Sequence, residues 1–218
     1  MKKRSLFSTI AIMILALVMV FAFVACDGAN DDDPANAKGE KVTAEQWESA
    51  FDFSAVTNST YTTIGNFKDD EDEYTVTTIL EYDGDKGHYK STMQYTDEDG
   101  VAQEYVHEYY MTQVNGKVYE YTYNEEDEKW DRVETDYGEW SYGGSFGSDF
   151  AYEKFTYDEN KKGYVAELES YGESYSVLVK IIKGKVAYIE QSGEEGKTTT
   201  TITKINGTSV TLPTVAED

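Results

Sequence analysis

The stretch that decides the fold runs from Tyr74 to Tyr95 and reads YTVTTILEYDGDKGHYKSTMQY. On both sides of Asp83-Gly84, large apolar residues alternate with Thr, Glu, Lys or Gln. Asp-Gly suits the type I′ turn of a two-residue hairpin, whose central residues need positive φ. The stretch therefore predicts two antiparallel strands, each with one buried face and one solvent-exposed face.

The same alternation recurs from Ser59 to Leu212, and turn dipeptides separate the alternating runs. The further dipeptides are Asp99-Gly100, Asn115-Gly116, Lys183-Gly184, Glu195-Gly196 and Asn206-Gly207. Short strands at near-regular spacing predict an antiparallel meander of about nine to eleven strands. The chain also holds 19 tyrosines and 3 tryptophans, so aromatic side chains must build much of the core. We expect residues 42–214 to form one β-rich domain.

Two segments break the alternation. Thr43-Ala-Glu-Gln46 is a capping box, and the apolar residues that follow it share one face of a short helix that must dock on the sheet. Residues 137–150 are rich in glycine and aromatics and predict either a lid over a groove or a covered crossover between two halves of the sheet; we favour the crossover. A second short helix is expected around residues 148–154, with Phe150 and Phe155 pointing inward.

The amino terminus predicts export. A basic start is followed by 19 residues, Leu6 to Val24, that are apolar except for two, and then by Phe23-Val-Ala-Cys26. This end resembles the bacterial lipobox, which implies a lipoprotein signal peptide over residues 1–25, cleavage after Ala25 and acylation of Cys26, the only cysteine. An uncleaved membrane-spanning anchor is the main alternative, and a buried, unmodified Cys26 is a third.

Composition restricts the location and the partners. Residues 26–41 lack large apolar side chains and predict a flexible acidic tether, and residues 215–218 a short tail. The formal net charge is −23, which disfavours nucleic acid as a partner and predicts repulsion from anionic membrane surfaces. We therefore expect membrane contact through the acyl chains on Cys26, with the domain on the extracytoplasmic face of the cell membrane.

No motif predicts catalysis, a cofactor or a metal site. Residues 143–147 match the G-x-S-x-G nucleophile elbow at Ser145, but the flanks do not predict a buried strand and both histidines lie upstream. His107 is expected in the core or in a groove, and His88 is expected to be exposed. The acidic clusters predict hairpin tips that lie in solvent. Their spacing does not match the EF-hand loop, and weak calcium binding by these clusters is left as an open alternative.

Several parts together resemble small Gram-positive lipoproteins related in fold to the LolA and LppX lipoprotein carriers. These parts are the lipobox, the helix from Thr43 to Phe51, and loose patterns at residues 115–121, 155–164, 177–186 and 210–213. The resemblance implies a mainly β (α+β) fold, with a strongly curved antiparallel sheet or open half-barrel and one or two short helices on the concave face. Carriers of this fold hold acyl chains in the concavity.

The resulting functional prediction is a membrane-anchored, non-catalytic module that binds an apolar or amphipathic ligand. The alternative is a structural or protein-interaction lipoprotein without a small-molecule ligand. Six residues are expected to face the ligand: Val76, Met93, Tyr105, Tyr121, Val179 and Ile181.

Overall fold

The computed structural model describes residues 33–52, 56–69, 72–97, 99–135, 150–170 and 172–215. One α-helix, α1 (Ala44–Phe51), and a 3₁₀ turn (Tyr152–Lys154) accompany eleven strands within these ranges. The strands are β1 (Asn58–Asp69), β2 (Asp72–Asp83), β3 (Lys86–Thr96), β4 (Ala102–Val114), β5 (Lys117–Asn124), β6 (Lys129–Thr135), β7 (Thr156–Asp158), β8 (Gly163–Ser170), β9 (Glu173–Ile182), β10 (Lys185–Gly193) and β11 (Gly196–Thr203).

All eleven strands belong to one antiparallel sheet. Its order is β6-β5-β4-β3-β2-β1-β11-β10-β9-β8-β7, so hairpin neighbours lie side by side and only the β1–β11 pair joins distant parts of the chain. Strands β6 and β7 are the two edges and do not pair with each other, which leaves the curved sheet unclosed. The predicted fold class, a mainly β open half-barrel with a short helix, is confirmed.

Helix α1 forms where the capping box predicts it. The Thr43 hydroxyl accepts a hydrogen bond from the Gln46 amide at 3.3 Å, and the Gln46 side chain accepts one from the Thr43 amide at 2.9 Å. The buried face of the helix consists of Trp47, Ala50 and Phe51. We call the sheet face that α1 covers the inner face and the opposite one the outer face.

The core lies between α1 and the inner face of β1, β2 and β8–β11. Tyrosines contribute to it, as the composition predicts: Tyr61, Tyr82 and Tyr164 are all buried in this cluster. The Tyr61 and Tyr82 hydroxyls are 2.9 Å apart, and the Ser59 hydroxyl donates to Tyr61 at 3.1 Å. Burial raises the pKa of Tyr82 to about 12, so the phenol stays neutral and its hydroxyl is satisfied inside the core.

Two local predictions need correction. The helix expected over residues 148–154 is, in its described part, only the 3₁₀ turn, although Phe150 and Phe155 do pack on the core. The domain also extends beyond residues 42–214. Residues 33–43, which we call the strap, are hydrogen-bonded to β8 and β9 in the part from Ala35 onward, and Val215 pairs with Trp130.

Candidate functional site

Three of the six predicted ligand-facing residues lie side by side on the inner face. Val76 pairs with Met93, and Met93 pairs with Tyr105, so the three side chains form a row across β2, β3 and β4. Val76 is buried, Met93 is half-buried and the Tyr105 side chain is 61 % exposed. The row therefore leads from the core into solvent.

Val179 and Ile181 lie on the same face but at its covered part. Both are 0 % exposed and belong to the cluster that packs under α1. A ligand could reach them only if the helix left the sheet. The prediction that they face a ligand is therefore wrong, because periodicity shows which residues are packed and not whether protein or ligand covers them.

Tyr121 lies on the outer face. It pairs with Tyr110 and with Arg132, while its strand neighbours Glu120 and Thr122 occupy the inner face. The Arg132 guanidinium is 5.7 Å from the Tyr121 ring, and the ring is buried. The prediction is wrong for Tyr121, because alternation within one strand does not show which face that strand presents to the helix.

An open depression of about 700 Å³ lies at the edge of β1–β4 nearest the β10–β11 turn, and most of its lining residues, such as Asn66, Thr75 and Gln94, lie on the outer face. Its three aromatic residues, Phe67, Tyr74 and Tyr95, lie on the inner face, one row beyond Val76, Met93 and Tyr105, and the Phe67 and Tyr74 rings stack at 5.3 Å. The Tyr95 side chain is 39 % exposed. We call the inner-face surface formed by Phe67, Tyr74, Tyr95 and the adjoining row from Val76 to Tyr105 the β1–β4 groove.

The polar residues of the depression lie mostly on the outer face or in the β10–β11 turn, and we call this mainly acidic border the rim of the groove. Its carboxylates are Glu73, Glu104 and Glu194, against which it holds the single cation Lys68. Lys68 is already paired with Glu73 at 3.2 Å, and Gln94 donates to Glu104 at 2.9 Å. The uncompensated negative charge at this rim favours neutral or cationic groups over anionic ones.

A second cluster of ionisable groups lies on the outer face around His88. Its Nδ1 is 3.0 Å from Glu81, its Nε2 is 2.9 Å from Glu108, and its ring stacks on Tyr110 at 4.4 Å. His88 is thus half-buried, contrary to the expectation of exposure, whereas His107 is exposed on the inner face. The hairpin turns at residues 84–85 and not at the predicted Asp83-Gly84, and this register brings His88 opposite Glu81. The predicted turn would have placed His88 opposite Ile79, so the sequence analysis missed this cluster.

The Glu108 carboxylate should make this cluster sensitive to acid. Burial raises the pKa of Glu108, but hydrogen bonds from His88 and Lys90 outweigh burial and hold the pKa below its ordinary value of 4.5. Because the folded-state pKa is the lower one, the stabilisation is present above pH 4.5 and is lost as the pH falls below it. We expect Glu108→Gln to lower the free energy of unfolding by about 1 kcal/mol at neutral pH.

Thermal unfolding followed by circular dichroism between pH 3 and pH 7 checks this prediction. The difference in melting temperature between the parent and the variant should shrink below pH 4.5. Glu167→Gln, at an exposed carboxylate of β8, is the matched control and should change the melting temperature little at any pH in this range. A difference between Glu108→Gln and the parent that stays constant across this range contradicts the assignment.

The described residues show no metal centre and no membrane-spanning helix. Across these ranges, no three His, Cys, Asp or Glu side chains are arranged to hold a metal ion. The Asp97 carboxylate instead accepts hydrogen bonds from the amides of Asp99 and Val101 at 3.1 and 2.9 Å, which fixes the β3–β4 turn. No helix in the described part is long and apolar enough to cross a bilayer. Ala25, Cys26 and Ser145 lie outside the described residues.

No protein-family model matches the chain, and no curated protein is similar to it.

Proposed function

We propose that the protein is a membrane-anchored, extracytoplasmic lipoprotein that binds an amphipathic ligand in the β1–β4 groove without transforming it. The observation that carries the proposal is the inner-face surface that leads from buried Val76 to exposed Tyr105 and that adjoins the aromatic residues of an open depression. Its volume of about 700 Å³ lies within the range of small-molecule sites.

The chemistry of the groove favours a ligand with an apolar body and a neutral or cationic head. Aromatic rings at Phe67, Tyr74 and Tyr95 offer apolar area, and tyrosine faces also attract cations. The acidic rim repels an anionic head. This refines the lipid binding that the resemblance to LolA and LppX implies, because a free fatty acid carries the wrong charge for this rim.

The proposed location depends on the amino terminus. Acylation of Cys26 with diacylglycerol and palmitate would attach the domain through residues 26–32 to the outer surface of the cell membrane. The strap then receives the chain at Asp33, so that only a short segment separates the lipid from the folded part. The open half-barrel is also the architecture that the resemblance implies, which supports the proposal without testing it.

The protein-interaction alternative has less support from the sheet edges. Strand β7 has three residues, too few to template a partner strand. Strand β6 carries Lys129, Asp131, Arg132 and Glu134, and charged side chains on an edge discourage strand addition.

Binding of Nile red, a neutral apolar dye, tests the proposed site. We expect the purified protein to enhance the dye's fluorescence, and Tyr95→Ala or Tyr105→Ala to weaken binding by about threefold to tenfold, because each removes exposed aromatic area from the groove. Tyr123→Ala is the matched control, since Tyr123 is 48 % exposed but lies on the outer face.

Competition with detergents of opposite charge tests the rim. Dodecyltrimethylammonium should displace Nile red at a lower concentration than dodecyl sulfate, at concentrations where the protein stays folded. If the dye does not bind, or if Tyr123→Ala weakens binding as much as the two groove variants do, the proposal fails.

A further inference from the structure

A row of polar side chains crosses the inner face between the β1–β4 groove and the core. We call it the polar row, and its members lie in register on β11, β1, β2, β3 and β4: Thr200, Thr63, Thr78, Ser91 and His107. Each of the last three follows a groove residue by two positions, so the polar row lies about 7 Å from the row formed by Val76, Met93 and Tyr105. The next row on the opposite side holds Tyr61 of the core and Leu80, which packs against it.

The polar row is partly buried. Four of its side chains are hydroxyls and the fifth is an imidazole. Thr78 and Thr200 are each 2 % exposed, Thr63 and Ser91 are half-buried, and His107 is exposed. The row therefore ends in solvent on β4, as the groove row beside it does. A hydroxyl that is removed from water destabilises the fold unless a new hydrogen bond replaces the one lost to water.

The hydroxyls of the row pair with each other and leave hydrogens over. The Thr63 and Thr200 hydroxyl oxygens are 2.9 Å apart, and those of Thr78 and Ser91 are 3.4 Å apart. Each hydroxyl carries one hydrogen and a pair uses only one of its two, so each pair leaves one hydrogen without an acceptor among the described residues. The ring nitrogens of His107 likewise form no hydrogen bond with a described residue.

Threonines on the outer face of the same sheet reach acceptors within the protein. The Thr199 hydroxyl donates to the Ile64 carbonyl at 3.4 Å. The Thr208 hydroxyl, which is 2.8 Å from that of Thr60, donates to the Lys204 carbonyl at 2.8 Å. Such hydroxyls need no ligand, whereas the polar row presents its remaining hydrogens beside the groove.

We propose that the polar row recognises the head of the ligand that binds in the β1–β4 groove, and that this head is an uncharged group with several hydroxyls, such as a glycosyl or glyceryl group. The inference rests on the proposed function and names the chemical class of the head. A hydroxyl donates and accepts, so it can bond both the oxygens and the remaining hydrogens of the row, whereas a quaternary ammonium can do neither. A carboxylate would accept those hydrogens, but the acidic rim of the groove repels it. The accessible members of the row, Thr63, Ser91 and His107, are the ones that contact the head.

Displacement of Nile red by two detergents with the same dodecyl tail tests the head. Dodecyl maltoside has a head rich in hydroxyls and dodecyltrimethylammonium has none, and both are used below their critical micelle concentrations so that the dye has no micelle to enter. Thr63→Val and Ser91→Ala together keep most of the side-chain volume and remove both half-buried hydroxyls. We expect this double variant to need about tenfold more dodecyl maltoside than the parent for the same displacement, because two hydrogen bonds to the head are lost. The concentration of dodecyltrimethylammonium should stay the same.

Two further variants identify the groups responsible. His107→Phe keeps a ring beside Tyr89 and Tyr109 but removes the ring nitrogens, and it should weaken displacement by dodecyl maltoside about threefold. The matched control, Thr62→Val with Thr92→Val, removes half-buried hydroxyls from the outer face of the same two strands, β1 and β3, and should not change displacement by either detergent. Circular dichroism confirms that all variants are folded.

Three results overturn the inference. One is a double variant that dodecyl maltoside displaces as easily as the parent, because water alone then satisfies the polar row. Another is an equal loss in the outer-face control. The third is displacement by maltose alone at the same concentration as by dodecyl maltoside, because the row then does not read the head of an amphipathic ligand. These results leave the binding of Nile red intact, whereas a parent protein that does not bind the dye refutes the proposed function itself and the inference with it.

Discussion

Trp47→Ala is expected to lower the free energy of unfolding by about 3–5 kcal/mol, enough to unfold a large fraction of a marginally stable domain. The Trp47 ring fills the space between α1 and the sheet, within 4.8 to 5.1 Å of the rings of Phe51, Phe155 and Tyr164. Its indole N–H donates to the Phe150 carbonyl at 2.7 Å. Alanine would leave a cavity and remove the ring that touches all three of these aromatic residues.

Urea unfolding followed by tryptophan-independent circular dichroism measures this loss. Trp47→Phe keeps much of the ring volume and removes the indole donor, so it should cost less than Trp47→Ala but lose the hydrogen bond to the Phe150 carbonyl. Trp130→Ala is the control, because Trp130 lies half-exposed on the outer face. If Trp130→Ala costs as much as Trp47→Ala, the helix does not anchor the core as the packing indicates.

Much of the fold could be predicted from the sequence because its determinants are local. The Thr43 capping box starts α1, and the Asn115-Gly116 dipeptide adopts positive φ at both residues, as the predicted hairpin turn requires. Hairpins chained in this way place each strand beside the next. Among the pairs of described strands, only β1 with β11 joins distant parts of the chain, and no local signal encodes this pairing.

The candidate site was less predictable because it depends on which face of each strand meets the helix. Val76, Met93 and Tyr105 were predicted together and do form a row, whereas Tyr121 has the same alternation and lies on the outer face. The register of a strand with its neighbours determines whether its odd-numbered or its even-numbered residues face the helix. The residue types within one strand do not reveal that register.

The strap shows a different limit. Residues 33–41 contain no large apolar side chain, so composition predicts a tether. Their order comes from hydrogen bonds to partners more than a hundred residues away, such as Lys180 and the Lys162 carbonyl. A segment held by backbone hydrogen bonds and one ammonium leaves no hydrophobic period in the sequence.

Ile181→Ala is expected to lower the free energy of unfolding by about 2–5 kcal/mol without a direct effect on the groove. Ile181 is fully buried under α1 beside Val186 on the next strand, so alanine would remove packed methyl groups and leave a cavity. The variant distinguishes inner-face residues that form the core from inner-face residues that are exposed in the groove. Residues of the core affect stability, whereas Tyr105 at the exposed end of the inner face should affect Nile red binding.

Ile64→Ala is the matched control, since Ile64 is 38 % exposed on the outer face and its truncation should cost at most about 0.5 kcal/mol. Urea denaturation measures the free energy of unfolding of Ile181→Ala, Tyr105→Ala and Ile64→Ala. Nile red titration then measures dye binding under conditions in which each variant stays folded. If Ile181→Ala weakens dye binding in the folded state as much as Tyr105→Ala does while costing little stability, then α1 does not seal this part of the inner face. The ligand would in that case enter beneath the helix and contact Val179 and Ile181, as the alternation in the sequence predicted.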